Sequence, residues 1–301
     1  MFVRWTGCLS LMRRWLSRGE WAVRLLGIPR STADAGSAGL VLIQIDGLSQ
    51  SQFERAVDAG RMPFMRRLLT REQHRNLTLY SGMPSSTPSV QGELFYGVQC
   101  ATPAFSYFSG DLQREVSMSE PEAAISVEAR VSRNCVGLLQ GGSAYCDIYN
   151  GGAEETHFCA CDLGFGGFVQ SVNPARMIFI AFWYSWSFVR AFGLTMLELA
   201  LAIGGLTRGE FWRELRFVPA RVAIVILLRE LVTIGATLDV ARGLPIVHLN
   251  LLGYDEQAHR RGPESAFAHW TLKGIDRGIR VIWFAAQRSH TRDYDVWIYS
   301  D

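Results

Sequence analysis

The sequence has no run of about 20 uninterrupted apolar residues, the length a helix needs to cross a bilayer. Its two most apolar stretches fall short: "MIFIAFWYSWSFV" (177–189) is closed by Arg190, and "RVAIVILLRELV" (221–232) carries Arg229 and Glu230. It also lacks a dominant charge. Thirty Lys and Arg face 28 Asp and Glu, a net +2, so bulk electrostatics give no reason to expect nucleic-acid binding. The six cysteines are spread along 301 residues, which excludes a small disulfide scaffold and points to a reducing, cytoplasmic setting. "HFCAC" (His157, Cys159, Cys161) matches no familiar zinc spacing. No secretory cleavage site follows the first apolar stripe, so the "NLT" triplet at Asn76 has no glycosylation consequence unless the chain is exported. There are no internal repeats and no low-complexity tract, and "QGGSAYCDIYNGG" resembles no Walker loop.

What remains is a globular composition, 49% apolar and 19% charged, long enough for one large α/β domain or two small ones. Residues 1–39 read as a basic amphipathic helix and a linker. Trp5, Leu9, Met12 and Leu16 form one stripe, and Arg4, Arg13, Arg14, Arg18, Arg24 and Arg30 outnumber the single acid Glu20. Such a helix suits the surface of a membrane or of its own domain. "LVLIQID" (40–46) has the continuous β-branched run of a strand covered on both faces. Helix follows over 51–70, broken at Pro63, then a short strand over 77–80, a turn and helix over 84–98, a hairpin over 104–117, a helix from Glu120 to Val131, and a strand and glycine-bounded loop over 137–152. Residues 170–243 change to apolar helices interrupted by Arg and Glu. They read as a helical insertion, with core packing, interfacial membrane contact and a true span all open. Strand character returns at "LPIVHLNLLGYD" (244–255), followed by a helix over 264–287 and a buried strand, Val296–Tyr299, just before Asp301. Long connections between these strands predict parallel pairing. The expected fold is α/β, a mostly parallel sheet with helices on both faces, built from residues 40–169 and 244–301.

Asp46, Asp255 and Asp301 each close an apolar β-run. For a single aspartate, a turn or helix-cap role is sufficient. Three at equivalent strand ends would crowd negative charge at the edge where open α/β sheets bind ligands, a costly arrangement unless a cation shares it. "DEQAH" puts Asp255 and His259 four residues apart, on one face of a helical turn, and carboxylate plus imidazole suits zinc or a similar divalent ion. "GMPSSTPSV" (82–90) frames Thr87 between Pro84 and Pro88, ahead of a helix. There a hydroxyl could act as a nucleophile beside backbone N–H groups that suit phosphate, or Thr87 or Ser89 could be an N-cap and no more. Ser143 and Asn150 in the glycine-rich loop are candidate substrate contacts.

Taken together, "LIQIDGL", "PSSTPS", "YDEQAHRRGP" and the terminal "YSD" resemble the alkaline phosphatase superfamily, in its type I phosphodiesterase/nucleotide pyrophosphatase branch. The resemblance covers roughly 40–165 and 244–301. It implies two divalent ions, usually zinc, one held by Asp255 and His259 and the other by Asp46 and Asp301 beside Thr87. It further implies attack by Thr87 on a phosphodiester or pyrophosphate bond, with Ser89 and Gln91 near the substrate. In the family a His directly follows the last aspartate and another His ligand comes later. The chain as given ends at Asp301, so it is expected to be incomplete at the metal site. Val90 stands where nucleotide-preferring members carry Asn, with Gln91 next, which leaves the substrate class open. The competing expectation is a non-catalytic protein of the same fold, acting through its basic N-terminus and helical insertion at membranes or partners. A transferase passing the phosphoryl group to a lipid or glycan hydroxyl is the third.

Overall fold

The structure, a computed structural model, describes residues 18–33, 37–162, scattered positions between 182 and 196, and 223–301. Most of the expected N-terminal amphipathic helix and of the 170–222 stretch lies outside the described residues.

Five strands form one all-parallel sheet. They are β1 (Gly39–Ile45), β4 (Ser143–Tyr145), β5 (Glu155–His157), β6 (Ile246–Leu251) and β7 (Tyr294–Ser300), in the order β5-β4-β6-β1-β7. β2 (Ser106–Ser109) and β3 (Arg114–Ser117) make the expected hairpin. The helices are α1 (Arg18–Leu26), α2 (Gln50–Asp58), α3 (Pro63–Arg71), α4 (Thr87–Tyr96), α5 (Pro121–Val131), α6 (Ala223–Arg242), α7 (Tyr254–Arg261) and α8 (Ala266–Gln287). Among the described residues no helix is long and apolar enough to cross a membrane.

Both faces of the sheet are covered, as the unbroken apolar runs require. Successive side chains of a strand point to opposite faces. Accordingly Val41, Ile43 and Ile45 pack with α3, α6 and α8, while Leu42 joins Phe95 of α4, Val127 of α5 and Ala144 in a second core. β1 lies between β6 and β7, with Ile43 opposite Leu249 on one side and Ile298 on the other. α6, from the stretch read as insertion, contributes Val232, Ala236 and Val240 to the first core.

Two expectations are corrected. Residues 77–80 form no strand; Leu77 and Tyr80 are exposed. The last strand begins at Tyr294 and is an edge strand, with Trp297 64% exposed rather than buried. An edge strand has a neighbour on one side only, so the alternation of a half-covered strand replaces full burial. The strand expected within 137–152 is confined to Ser143–Tyr145, after a turn at 138–141.

α3 and α8 are joined by one carboxylate. The N–H groups of Phe64 and Met65, free donors at the start of α3, donate to Asp276 of α8 at 3.0 and 2.8 Å. Burial raises the Asp276 carboxyl, and these two hydrogen bonds oppose that rise. Asp276→Ala leaves two buried N–H groups without an acceptor. It should cost about 1–3 kcal/mol in urea denaturation at pH 7, with Asp276→Asn recovering part of that; an unchanged midpoint would show that the cap carries no weight.

Candidate functional site

Asp46 is the first residue after β1, Asp301 the first after β7, and Asp255 sits in the first turn of α7, just past β6. Because β6, β1 and β7 are adjacent and parallel, their carboxyl ends lie side by side and bring the three aspartates to one edge. Gly47 is the point of closest approach. It has φ +65, and a Cβ there would fall 2.4 Å from Asp255 Oδ1. Only glycine is free of a side chain at that spot and at ease at that φ. The Gly47 N–H donates to Asp301 Oδ1 at 3.0 Å, so one short backbone segment touches two of the acids. Ser300 ties the same ends together, accepting from Leu48 N at 2.8 Å and donating to the Ile45 carbonyl at 2.6 Å.

Burial comes first, and then the charges of Asp301 and Asp255, in pushing the Asp46 carboxyl from 3.8 up to about 8; Thr87 and Asn250 oppose the shift by hydrogen bonding. Asp46 keeps some solvent contact, but protein atoms crowd it closely enough for desolvation to dominate. Asp255 is also raised, by burial and Asp301, and held back by His259. His259 Nε2 lies 3.2 Å from Asp255 Oδ1 across one turn of α7, its side chain 80% exposed.

Thr87 opens α4, with Ser86 as N-cap making no side-chain capping bond. The hydroxyl of Thr87 donates to Asp46 Oδ1 at 3.3 Å. The structure therefore brings together Asp46, Thr87, Asp255, His259 and Asp301. It does not bring the expected substrate contacts with them. Ser89 is buried and donates to the Thr102 carbonyl. Ser143 is fully buried at the start of β4, at the other end of the sheet from the carboxylates. Asn150 accepts from the Cys161 thiol at 2.7 Å. Gln91, one turn after Thr87, is fully buried beneath it.

Gln91 belongs to a buried polar network that the sequence reading missed. It accepts from Ile148 N at 2.8 Å, which fixes its amide orientation, and donates to Gln44 Oε1 at 2.9 Å and Asp147 Oδ1 at 3.0 Å. Asp147 Oδ2 lies 2.8 Å from His248 Nδ1, and His248 Nε2 lies 2.7 Å from the Tyr299 hydroxyl, which donates to Gln44 at 3.1 Å. Four elements are thus tied to the helix that carries Thr87. The signal in the sequence was polar residues inside runs read as apolar: Gln44 in "LVLIQID", His248 and Asn250 in "IVHLNLL".

Among the described residues no group of three or more His, Cys, Asp and Glu side chains is arranged to hold a metal ion as it stands. The donor chemistry nevertheless fits a divalent cation. Three carboxylates repel one another at one edge, and Asn250 Oδ1 beside Asp46 is a buried acceptor without a donor. A large cavity among the described residues lies elsewhere and is not lined by Asp46, Thr87, Asp255 or Asp301. Searched against family models and against curated protein sequences, the chain matches none.

The Asp46 shift has a consequence for stability. Between about 4 and about 8 the native chain keeps a proton on Asp46 that the unfolded chain has released. Native binding of that extra proton means that stability falls as pH rises across this window. In chelator-treated protein Asp46→Asn should flatten this slope and raise the melting temperature at pH 8 relative to wild type. Equal slopes for the two proteins would overturn the assignment.

Proposed function

We propose that this chain carries the catalytic centre of a metal-dependent hydrolase of phosphodiester or pyrophosphate bonds, with Thr87 as nucleophile. The observation that carries the reading is the Thr87 hydroxyl at 3.3 Å from Asp46, on the same strand edge as Asp255 and Asp301. The resemblance of the surrounding motifs to alkaline-phosphatase-type phosphodiesterases supports it.

Asp46, Asp255, His259 and Asp301 would hold two divalent ions, zinc by that resemblance. Such ions would offset the crowded negative charge and lower the pKa of the Thr87 hydroxyl. Ionised Asp46 accepts the Thr87 hydrogen bond and orients its oxygen away from α4. Thr87 Oγ1 then releases its proton to solvent and forms a bond to phosphorus as the opposite P–O bond breaks; the leaving oxygen departs and takes a proton from solvent. Water hydrolyses the phosphothreonine and returns Thr87 to its starting state. The network under α4 holds Gln91, and with it the first turn of the helix, so that Oγ1 is positioned before substrate arrives.

A second reading, the same fold without catalysis, draws on the inward orientation of Ser89, Gln91, Ser143 and Asn150, which leaves the substrate contacts unidentified.

Hydrolysis of bis-p-nitrophenyl phosphate in the presence of zinc separates the two, using this chain and any longer product of its reading frame. Thr87→Ala should lower kcat by at least about 10³-fold, the scale of losing a nucleophile, and Thr87→Ser should retain part of the activity. Near-wild-type turnover by Thr87→Ala would refute the nucleophile assignment. No turnover by either wild-type form would favour the non-catalytic reading.

A further inference from the structure

We propose that the cavity between α3, α6 and α8 docks the headgroups of acidic phospholipids, holding the protein against an anionic membrane surface. The cavity has a volume of about 1260 Å³. Lys273, Arg277 and Arg280 line it from one face of α8, at spacings of four and three residues that repeat the helical turn, and Arg288, the residue after α8, lines it too. The opposite face of α8, with Leu272, Ile275, Ile279 and Ile282, is fully buried in the core.

The cations are gathered rather than scattered. Arg67 of α3, Arg280 and Arg288 place their guanidinium carbons 5.6, 5.9 and 5.0 Å from the centroid of the Phe284 ring. A phenyl ring attracts a cation weakly, and three like charges around one ring repel one another unless an anion joins them. Arg67 pairs with Glu72. Among the described residues Lys273, Arg277, Arg280 and Arg288 form no ion pair. The two acids that line the cavity are already committed: Glu230 pairs with Arg190, and Asp276 accepts both N–H groups at the start of α3. Among the described residues the cavity lining therefore keeps a surplus of positive charge.

The floor is shaped for a guanidinium as well. Arg229 lies on α8 at Gly274, where a Cβ would come within 2.6 Å of its Cζ. A glycine inside a long helix is disfavoured on its own, and here it makes that contact possible.

The rim distinguishes among anions. Trp186 and Val281 line the cavity and are 68% and 44% exposed. Exposed apolar groups beside cations suit a bilayer interface, where tryptophan sits at headgroup depth and Arg and Lys meet lipid phosphates. A free phosphate gains nothing from such a rim. None of these residues belongs to the carboxylate edge, so the inference stands apart from the hydrolase reading.

Co-sedimentation of the full chain with vesicles of phosphatidylcholine alone, and of phosphatidylcholine mixed with phosphatidylglycerol, tests it. Binding should require phosphatidylglycerol and weaken as salt is raised. Arg277→Glu/Arg280→Glu should lower it at least tenfold, with the melting temperature held. Lys273→Gln/Arg277→Gln, confined to exposed side chains, should lower it in the same direction if the reversal variant fails to fold. Equal binding to both vesicle types, or vesicle binding indifferent to these substitutions, would overturn the proposal. So would saturable calorimetric binding of inorganic phosphate, or binding of single-stranded RNA, without any vesicle partition.

Discussion

Crowding of negative charge at one end of a parallel sheet is the constraint on which the rest of this structure depends. Asp46, Asp255 and Asp301 are brought together by strand adjacency, and Asp46 answers by binding its proton up to about pH 8. The surrounding groups make sense as a response. Gly47 gives up a side chain so that Asp255 can approach, and lends its N–H to Asp301. Thr87 and Asn250 supply hydrogen bonds to Asp46. Nothing in ordinary core packing asks for such an arrangement, which works against stability, and stability withheld at one place is a common mark of a functional site.

The same edge is reinforced from below. Gln44, Gln91, Asp147, His248 and Tyr299 form a connected polar network in which the Gln91 amide has one workable orientation. Buried polar groups are costly when only partly satisfied and rigid when linked. Here they tie α4, β1, the loop after β4, β6 and β7 into one frame, and Thr87 stands at its margin. The opposite helical layer has a separate economy. Its inner side is apolar, and its outer side collects arginines around Phe284.

Much of the site was legible in the sequence because its elements leave local marks. A β-branched run ending in aspartate, a proline-framed threonine ahead of a helix, and Asp and His four residues apart each depend on near neighbours in the chain. Their convergence followed from parallel pairing, which the long connections implied. The candidate substrate contacts face inward for a physical reason. Ser143 and Asn150 sit in a glycine-rich stretch that looks like a ligand loop, and Gln91 looks like a family position, yet Ser143 is fully buried, Gln91 meets Gln44, Asp147 and Ile148, and Asn150 meets Cys161. Sequence shows that a polar side chain exists and not which way it faces.

Local sequence determined where most of the strands and helices lie, the α/β class and the identity of the strand-end aspartates, since periodicity and turn chemistry act over a few residues. Only the tertiary structure decided the strand order β5-β4-β6-β1-β7, which places β7 at an edge and exposes Trp297, and which sets Asp301 and Asp255 on either side of Asp46. It also decided that Gln91 faces inward, and that Arg67 of α3 meets Arg280 of α8 and Arg288 just after it over one ring. These are contacts between residues separated by as many as 255 positions, and their energies come from burial and from charge at distances of a few ångströms, which exist only once the chain has folded.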